Sequence, residues 1–90
     1  MWHELNWNDE NEAHIARHGV TPNEVHQVVD SDPRIYQVGH ENTRLVFGTT
    51  YNGRHLVVVL ADGLDGRDYV VTARDMTPEE KATFQRKTPS

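Results

Sequence analysis

Apolar residues concentrate in the middle of the chain, in three runs around Leu45-Val-Phe47, Leu56 to Ala61 and Tyr69 to Val71. Runs rich in β-branched and aromatic residues and bounded by Gly, Asn and Asp read as strands. Arg54 to Ala61 is the central one, entered through Asn52-Gly53 and left through Asp62-Gly63. A type I′ turn at Asn52-Gly53 predicts a two-residue hairpin loop, so that Tyr51 faces Arg54, Thr50 faces His55 and Arg44 faces Ala61. The Gly63-Leu-Asp-Gly66 loop then returns residues 67–74 to the other side of the central strand. Side-chain alternation assigns the faces. Leu45, Phe47, Leu56, Val58 and Leu60 share one. Pairing Asp62 with Arg67 adds Tyr69, Val71 and Ala73 and makes that face uniformly apolar. The opposite face is expected to carry Arg44, Thr50, His55, Asp68, Thr72 and Arg74 around an apolar middle, with its polar end open.

The flanking segments switch to helical signals. Leu5-Asn-Trp7 fits a short strand, followed by a helix over about 9–18 with Asn8 or Asp9 as N-cap and acidic residues in its first turn. Gly19 stops that helix. Thr21-Pro-Asn-Glu24 combines a capping threonine, an N1 proline and an N3 glutamate, and Val25, Val28 and Val29 supply the apolar stripe of the helix it starts. Asp30 to Pro33 ends that helix, and a short strand lies around Ile35 to Val38. Thr77-Pro-Glu-Glu80 repeats the same start ahead of a final helix of about ten residues, to which Ala82 and Phe84 contribute the apolar side. The order strand, helix, helix, three or four antiparallel strands, helix is α+β.

Ninety residues are expected to form one domain, 1–90, with one modest core. No apolar run approaches the ~20 residues of a membrane-spanning helix, so no membrane partner is expected and a cytoplasmic location is. The absence of cysteine excludes disulfide and thiolate chemistry. The net charge of −5 argues against indiscriminate polyanion binding, yet seven of the nine basic residues are arginines, suited to bidentate contacts with phosphate or carboxylate. In the expected register His55 lies between Thr50 and Arg74. An imidazole beside a guanidinium can take the proton of a 2′-hydroxyl while the arginine stabilises charge on a phosphate, as a metal-free ribonuclease requires. The plainer reading is an ordinary polar strand end. Glu10, His14 and His18 share a helical face by their four-residue spacing. That face lacks the adjacent glutamate of the hydrolytic zinc motif, so a solvated surface is expected and no metal is assigned.

Leu5-Asn-Trp7-Asn-Asp9, Arg17-His18-Gly19-Val20, Glu24-Val25, Arg44 with Gly48, Gly53-Arg54-x-Leu56, and Ala73-Arg74 followed by Thr77-x-x-Glu80 occur in this order over most of the chain. This ordered set resembles the BrnT family of bacterial type II toxins. The resemblance implies a RelE-like fold with two N-terminal helices, a three- to four-stranded antiparallel sheet and one C-terminal helix. It implies RNA cleavage that inhibits translation, without a cofactor, and a partner antitoxin of ribbon-helix-helix type through which alone operator DNA is contacted. Carried over by position, Arg17, His18, Arg44 and Arg74 become functional residues. Arg44 and Arg74 are the expected phosphate ligands, His55 or His18 the general acid or base, and Arg17 and Arg54 the RNA-positioning residues. The alternative is a toxin-like binding module of weak or no activity, working in an antitoxin complex that represses transcription. The family often has lysines where this chain has Glu12, His14 and Arg17.

Overall fold

The helix starts form where the local chemistry places them. A computed structural model describes residues 4–63 and 65–88. The strand β1 (Leu5–Asn6) leads into α1 (Asp9–Ala16), capped by Asn8, whose side chain accepts from the Asn11 backbone while the Asn11 side chain accepts from Asn8. Asn11 is buried, and its amide also donates to the Asn6 carbonyl, which locks the turn between β1 and α1. Thr21 caps α2 (Pro22–Val29) and Thr77 caps α3 (Pro78–Lys87), each completing a capping box with the glutamate at N3. All three boxes satisfy N–H groups that a helix start leaves without intrahelical partners. The helix α1 stops two residues short of the expected end, and Gly19 follows it with φ +69°.

Between α2 and α3 run β2 (Ile35–Val38), β3 (Thr43–Thr49), β4 (His55–Asp62) and β5 (Asp68–Asp75). They join β1 in one sheet of order β1-β5-β4-β3-β2. The β1 strand pairs with β5 in parallel and the other pairs are antiparallel, so the α+β domain has a five-stranded mixed sheet. The expected three- to four-stranded antiparallel sheet is corrected accordingly.

The hairpin register differs by one residue from expectation. Thr49 lies opposite His55, Arg44 opposite Leu60 and Thr43 opposite Ala61. The cause lies in the turn. Gly53 alone takes a positive φ, of 83°, whereas a type I′ turn needs positive φ at Asn52 as well. The Gly53 N–H donates to the Thr50 carbonyl and the Thr50 N–H to the Arg54 carbonyl, closing a three-residue loop. The Thr50 hydroxyl accepts from the Arg54 N–H, and Thr50 is buried in the turn rather than displayed beside His55.

The one-residue shift turns β3 over relative to β4. Val46, Leu56, Val58 and Leu60 now share a face with Val70 and Ala73, packed under Ile15, Val20, Val25, Val28 and Val29 of the α1–α2 layer. Leu45 and Phe47 lie on the opposite face with Val57, Ile35 and Met76, covered by Phe84 of α3. Both faces are therefore core. The expected open polar face is covered in its middle by α3. The third strand also departs from the expected pairing. Asp62 faces Asp68, and an irregularity after Val59 leaves Val71 as an extra residue, so Val70 and Ala73 are buried while Val71 is exposed. Tyr69 and Val71 are thus not the core residues of β5; Val70 is.

Close approach of α2 to the sheet depends on Gly48. A Cβ there would meet the Ser31 hydroxyl and the Val28 carbonyl, both of which border α2's end. The three-residue loop makes a specific prediction for urea denaturation. Gly53→Ala is expected to cost about 1 kcal/mol, because a side chain is strained at positive φ, while Asn52→Ala stays within about 0.5 kcal/mol. A comparable loss at both positions would indicate the two-residue type I′ turn instead.

Candidate functional site

Arg54 enters β4 from the Gly53 turn and points toward the α1–α2 layer. Its Nε and Nη2 donate to Asp75, Nη2 also to the His18 carbonyl, and Nη1 to the Gly19 carbonyl and Glu24. A guanidinium has five N–H groups, and this set accounts for all of them. The hydrogen bonds from Arg54 hold the Asp75 carboxyl below the usual carboxylate range, with the nearby His18 charge acting the same way. Arg54, expected to position RNA, is therefore a structural cross-link. His18 presents its carbonyl to Arg54 and its ring near Asp75, with the His14 ring tilted beside it at a centroid distance of 6.2 Å. Arg17 is the exposed C-cap of α1. Among the described residues no group of three His, Asp or Glu side chains is arranged to hold a metal ion.

Arg44 is on the same sheet face as Arg54 but at the opposite end, bound to Asp62 at 2.9 Å and Asp68 at 2.6 Å. It lies opposite Leu60, five residues along β4 from His55, which is about 17 Å of strand. The expected register also has Arg44 at the far end, opposite Ala61; the one-residue shift moves it to the other face of the sheet from His55 and Arg74.

His55 and Arg74 do share a face, the one covered by α3. Arg74 lies opposite Val57, two residues from His55 along β4, so the pair is diagonal across the ladder instead of directly opposed. The imidazole packs edge-on against Phe84, with ring centroids 5.8 Å apart and an interplanar angle of 83°. Burial and the Lys81 ammonium hold His55 below its ordinary value, against the Gly53 backbone hydrogen bond, a shift that favours its neutral form. Arg74 makes a fork-to-fork pair with Glu80, Nη1 to Oε1 at 2.7 Å and Nη2 to Oε2 at 3.1 Å, and Nη1 also donates to the Asp75 carbonyl. Its Nε–H and one Nη2–H make no hydrogen bond among the described residues. Arg74 keeps free donors where Arg54 has none.

The six residues singled out in the sequence therefore fall into three places. His18, Arg17 and Arg54 gather at the end of α1, Arg44 stands alone at the far end of that face, and His55 and Arg74 form the α3-side pair. Sequence reasoning missed Lys81, which approaches His55 from α3, and treated Glu80 only as a cap. The signal for Lys81 was its three-residue spacing from Phe84, which puts both on one helical face. Five cations have no carboxylate partner among the described residues: Arg17, Arg34, Lys81, Arg86 and Lys87. Three of these are on α3, which makes that helix the basic edge of an acidic protein.

The Arg74 hydrogen bonds and the Thr77 backbone N–H depress Glu80 to about 2. A carboxylate lowered on folding stabilises the native state above its unfolded value and loses that contribution as pH falls through the folded one. Acid unfolding of the wild type is expected to steepen between about pH 4.5 and about pH 2, and Glu80→Gln to flatten that segment while lowering stability at pH 7. Parallel acid titrations followed by circular dichroism check this, and identical curves would remove the pair from the native state. In comparison with known proteins, the chain matches no family model, no curated protein and no solved structure.

Proposed function

We propose that the protein is a metal-free endoribonuclease of BrnT type, with a RelE-like fold, that cleaves RNA on the α3 face of its sheet. The observation that carries this reading is an imidazole, His55, packed on Phe84 on the same face as an arginine that retains unused N–H donors, Arg74. In this mechanism His55 takes the proton of a 2′-hydroxyl, and the 2′ oxygen attacks phosphorus. The bond to the 5′ oxygen breaks, that oxygen takes a proton from water, and a 2′,3′-cyclic phosphate remains. Arg74 donates its free N–H groups to the non-bridging oxygens as charge builds on them. Lys81, Arg86 and Lys87 draw the RNA backbone to this face. Arg44 and Arg54 have structural roles here, and His18 and Arg17 lie outside the reacting centre.

In the cytoplasm such a toxin is held by an antitoxin of ribbon-helix-helix type, which also makes the contact with operator DNA. The exposed carboxylates of an acidic chain suit basic segments of that partner. A second reading has its own support. Arg44, Arg54 and Arg74 each bind an internal carboxylate, which fits a toxin-like scaffold acting in a repressor complex without cleaving RNA.

Expression without a partner protein separates the two. The ribonuclease reading expects growth arrest and RNA degradation. His55→Ala and Arg74→Ala are each expected to reduce cleavage by about 10²-fold or more, with Arg44→Ala within a few-fold of wild type. Intact RNA and normal growth would leave the scaffold. The cleavage rate is also expected to rise with pH through an imidazole titration centred below the ordinary histidine value, and Lys81→Met to move that limb upward. A limb unmoved by Lys81→Met would exclude His55 as the base.

A further inference from the structure

Between α3 and strands β2 and β3 lies an open groove of about 340 Å³, lined by Ile35, Gln37, Leu45, Phe47, Glu79, Glu80, Thr83, Phe84 and Lys87. Its walls are the half-buried Ile35 and Leu45, and its floor is closed by Phe47 and Phe84. Phe84 is also the ring on which His55 packs, so the groove begins one aromatic ring away from the proposed base. Glu80 is occupied by Arg74 and by the helix cap. The remaining polar groups of the rim are different. Gln37, Glu79, Thr83 and Lys87 make no side-chain hydrogen bond or ion pair among the described residues.

We infer that this groove is a nucleobase subsite selective for guanine, which takes the base next to the scissile phosphate. The inference rests on the ribonuclease reading for its substrate class and on the rim for its selectivity. An apolar slot with a few placed polar groups is how proteins hold an unstacked base of single-stranded RNA, reading its Watson–Crick and Hoogsteen edges. A carboxylate accepts and cannot donate. Guanine alone among the four bases offers two adjacent donors, N1–H and the N2 amino group, which fit the two oxygens of Glu79 side by side. Its acceptors O6 and N7 match the donors of Gln37 and Lys87. Adenine gives a carboxylate one amino group and sets the acceptor N1 against it. Uracil offers a single N–H flanked by carbonyls, which repel the second carboxylate oxygen. Lys81 near His55 places a cation on the phosphate side of the bound nucleotide, while the carboxylate rim and Lys87 meet the base.

The test uses the full chain and 2′-deoxy dinucleotides carrying guanine, adenine, cytosine or thymine 5′ to a common nucleotide, which cannot be cleaved. Binding is followed by the methyl resonances of Ile35 and Leu45. The guanine dinucleotide is expected to bind about tenfold or more tightly than the others, the discrimination of one good bidentate pair. Glu79→Gln, on the exposed first turn of α3, is expected to bring the four within about twofold, because an amide cannot accept both donors. Equal binding of all four, a preference for another base, or a guanine preference that survives Glu79→Gln each overturns the inference. So does binding that leaves Ile35 and Leu45 unperturbed. Because these ligands resist cleavage, guanine-selective binding beside RNA that stays intact would sink the ribonuclease reading alone. Cleavage without base preference would sink the subsite alone.

Discussion

The guanidinium of Arg54 joins four elements that the chain brings together from distant positions. Through Gly19 and His18 it holds the turn after α1; through Glu24, the start of α2; through Asp75, the end of β5; and its own backbone leads into β4. The carbonyls it binds belong to the turn after α1, and the two carboxylates would repel each other without the cation between them. The network is partly exposed, Asp75 most of all, so solvent screens its charges and its main effect is to fix geometry. The α1–α2 layer therefore docks on the sheet by the apolar packing of Ile15, Val25, Val28 and Val29 and is oriented by one polar junction at its end.

The α3 helix uses the same device on the other face. Each Thr-Pro-x-Glu start supplies a glutamate that closes a capping box and binds an arginine of the sheet, Glu24 with Arg54 and Glu80 with Arg74. A motif that first reads as local helix chemistry is also a tertiary contact. The two copies differ in completeness, since Arg54 is saturated and Arg74 is not. That difference, rather than the identity of the residue, separates a structural arginine from one with capacity left for a ligand.

The helices were legible because caps, N1 prolines and the glycine after α1 act within a few residues. The register was not. Leu56 to Leu60 is apolar at every position, and Leu45-Val46-Phe47 likewise, because both faces of the sheet are covered; alternation carries no phase information there. Asn-Gly permits a two-residue or a three-residue loop, and only the backbone of Asn52 decides between them. His55 and Arg74 are on one face all the same, with Thr49 and Val57 opposite them in place of the expected partners. Two one-residue differences, in the hairpin and in β5, put Arg44 on the other face, buried Thr50 in the turn and made the pair diagonal, yet left it on one face. The parallel β1 strand, two residues long, carried no pattern beyond Leu5 to announce its neighbour.

The extra residue in β5 has a consequence for the chemistry of the molecule. From Asp68 to Val70 the strand presents its even-numbered residues to the α1–α2 layer, and beyond Val71 it presents Ala73 and Asp75 instead. A uniform ladder of the same composition would carry Arg74 to the α1–α2 side, against Leu56, and send Asp75 away from Arg54. Val71 is therefore a phase shift written into chain length: one exposed residue with no part in either core decides which side of the sheet carries the arginine and which carries its acidic neighbour. In this protein an insertion or deletion of one residue is a larger chemical change than most substitutions.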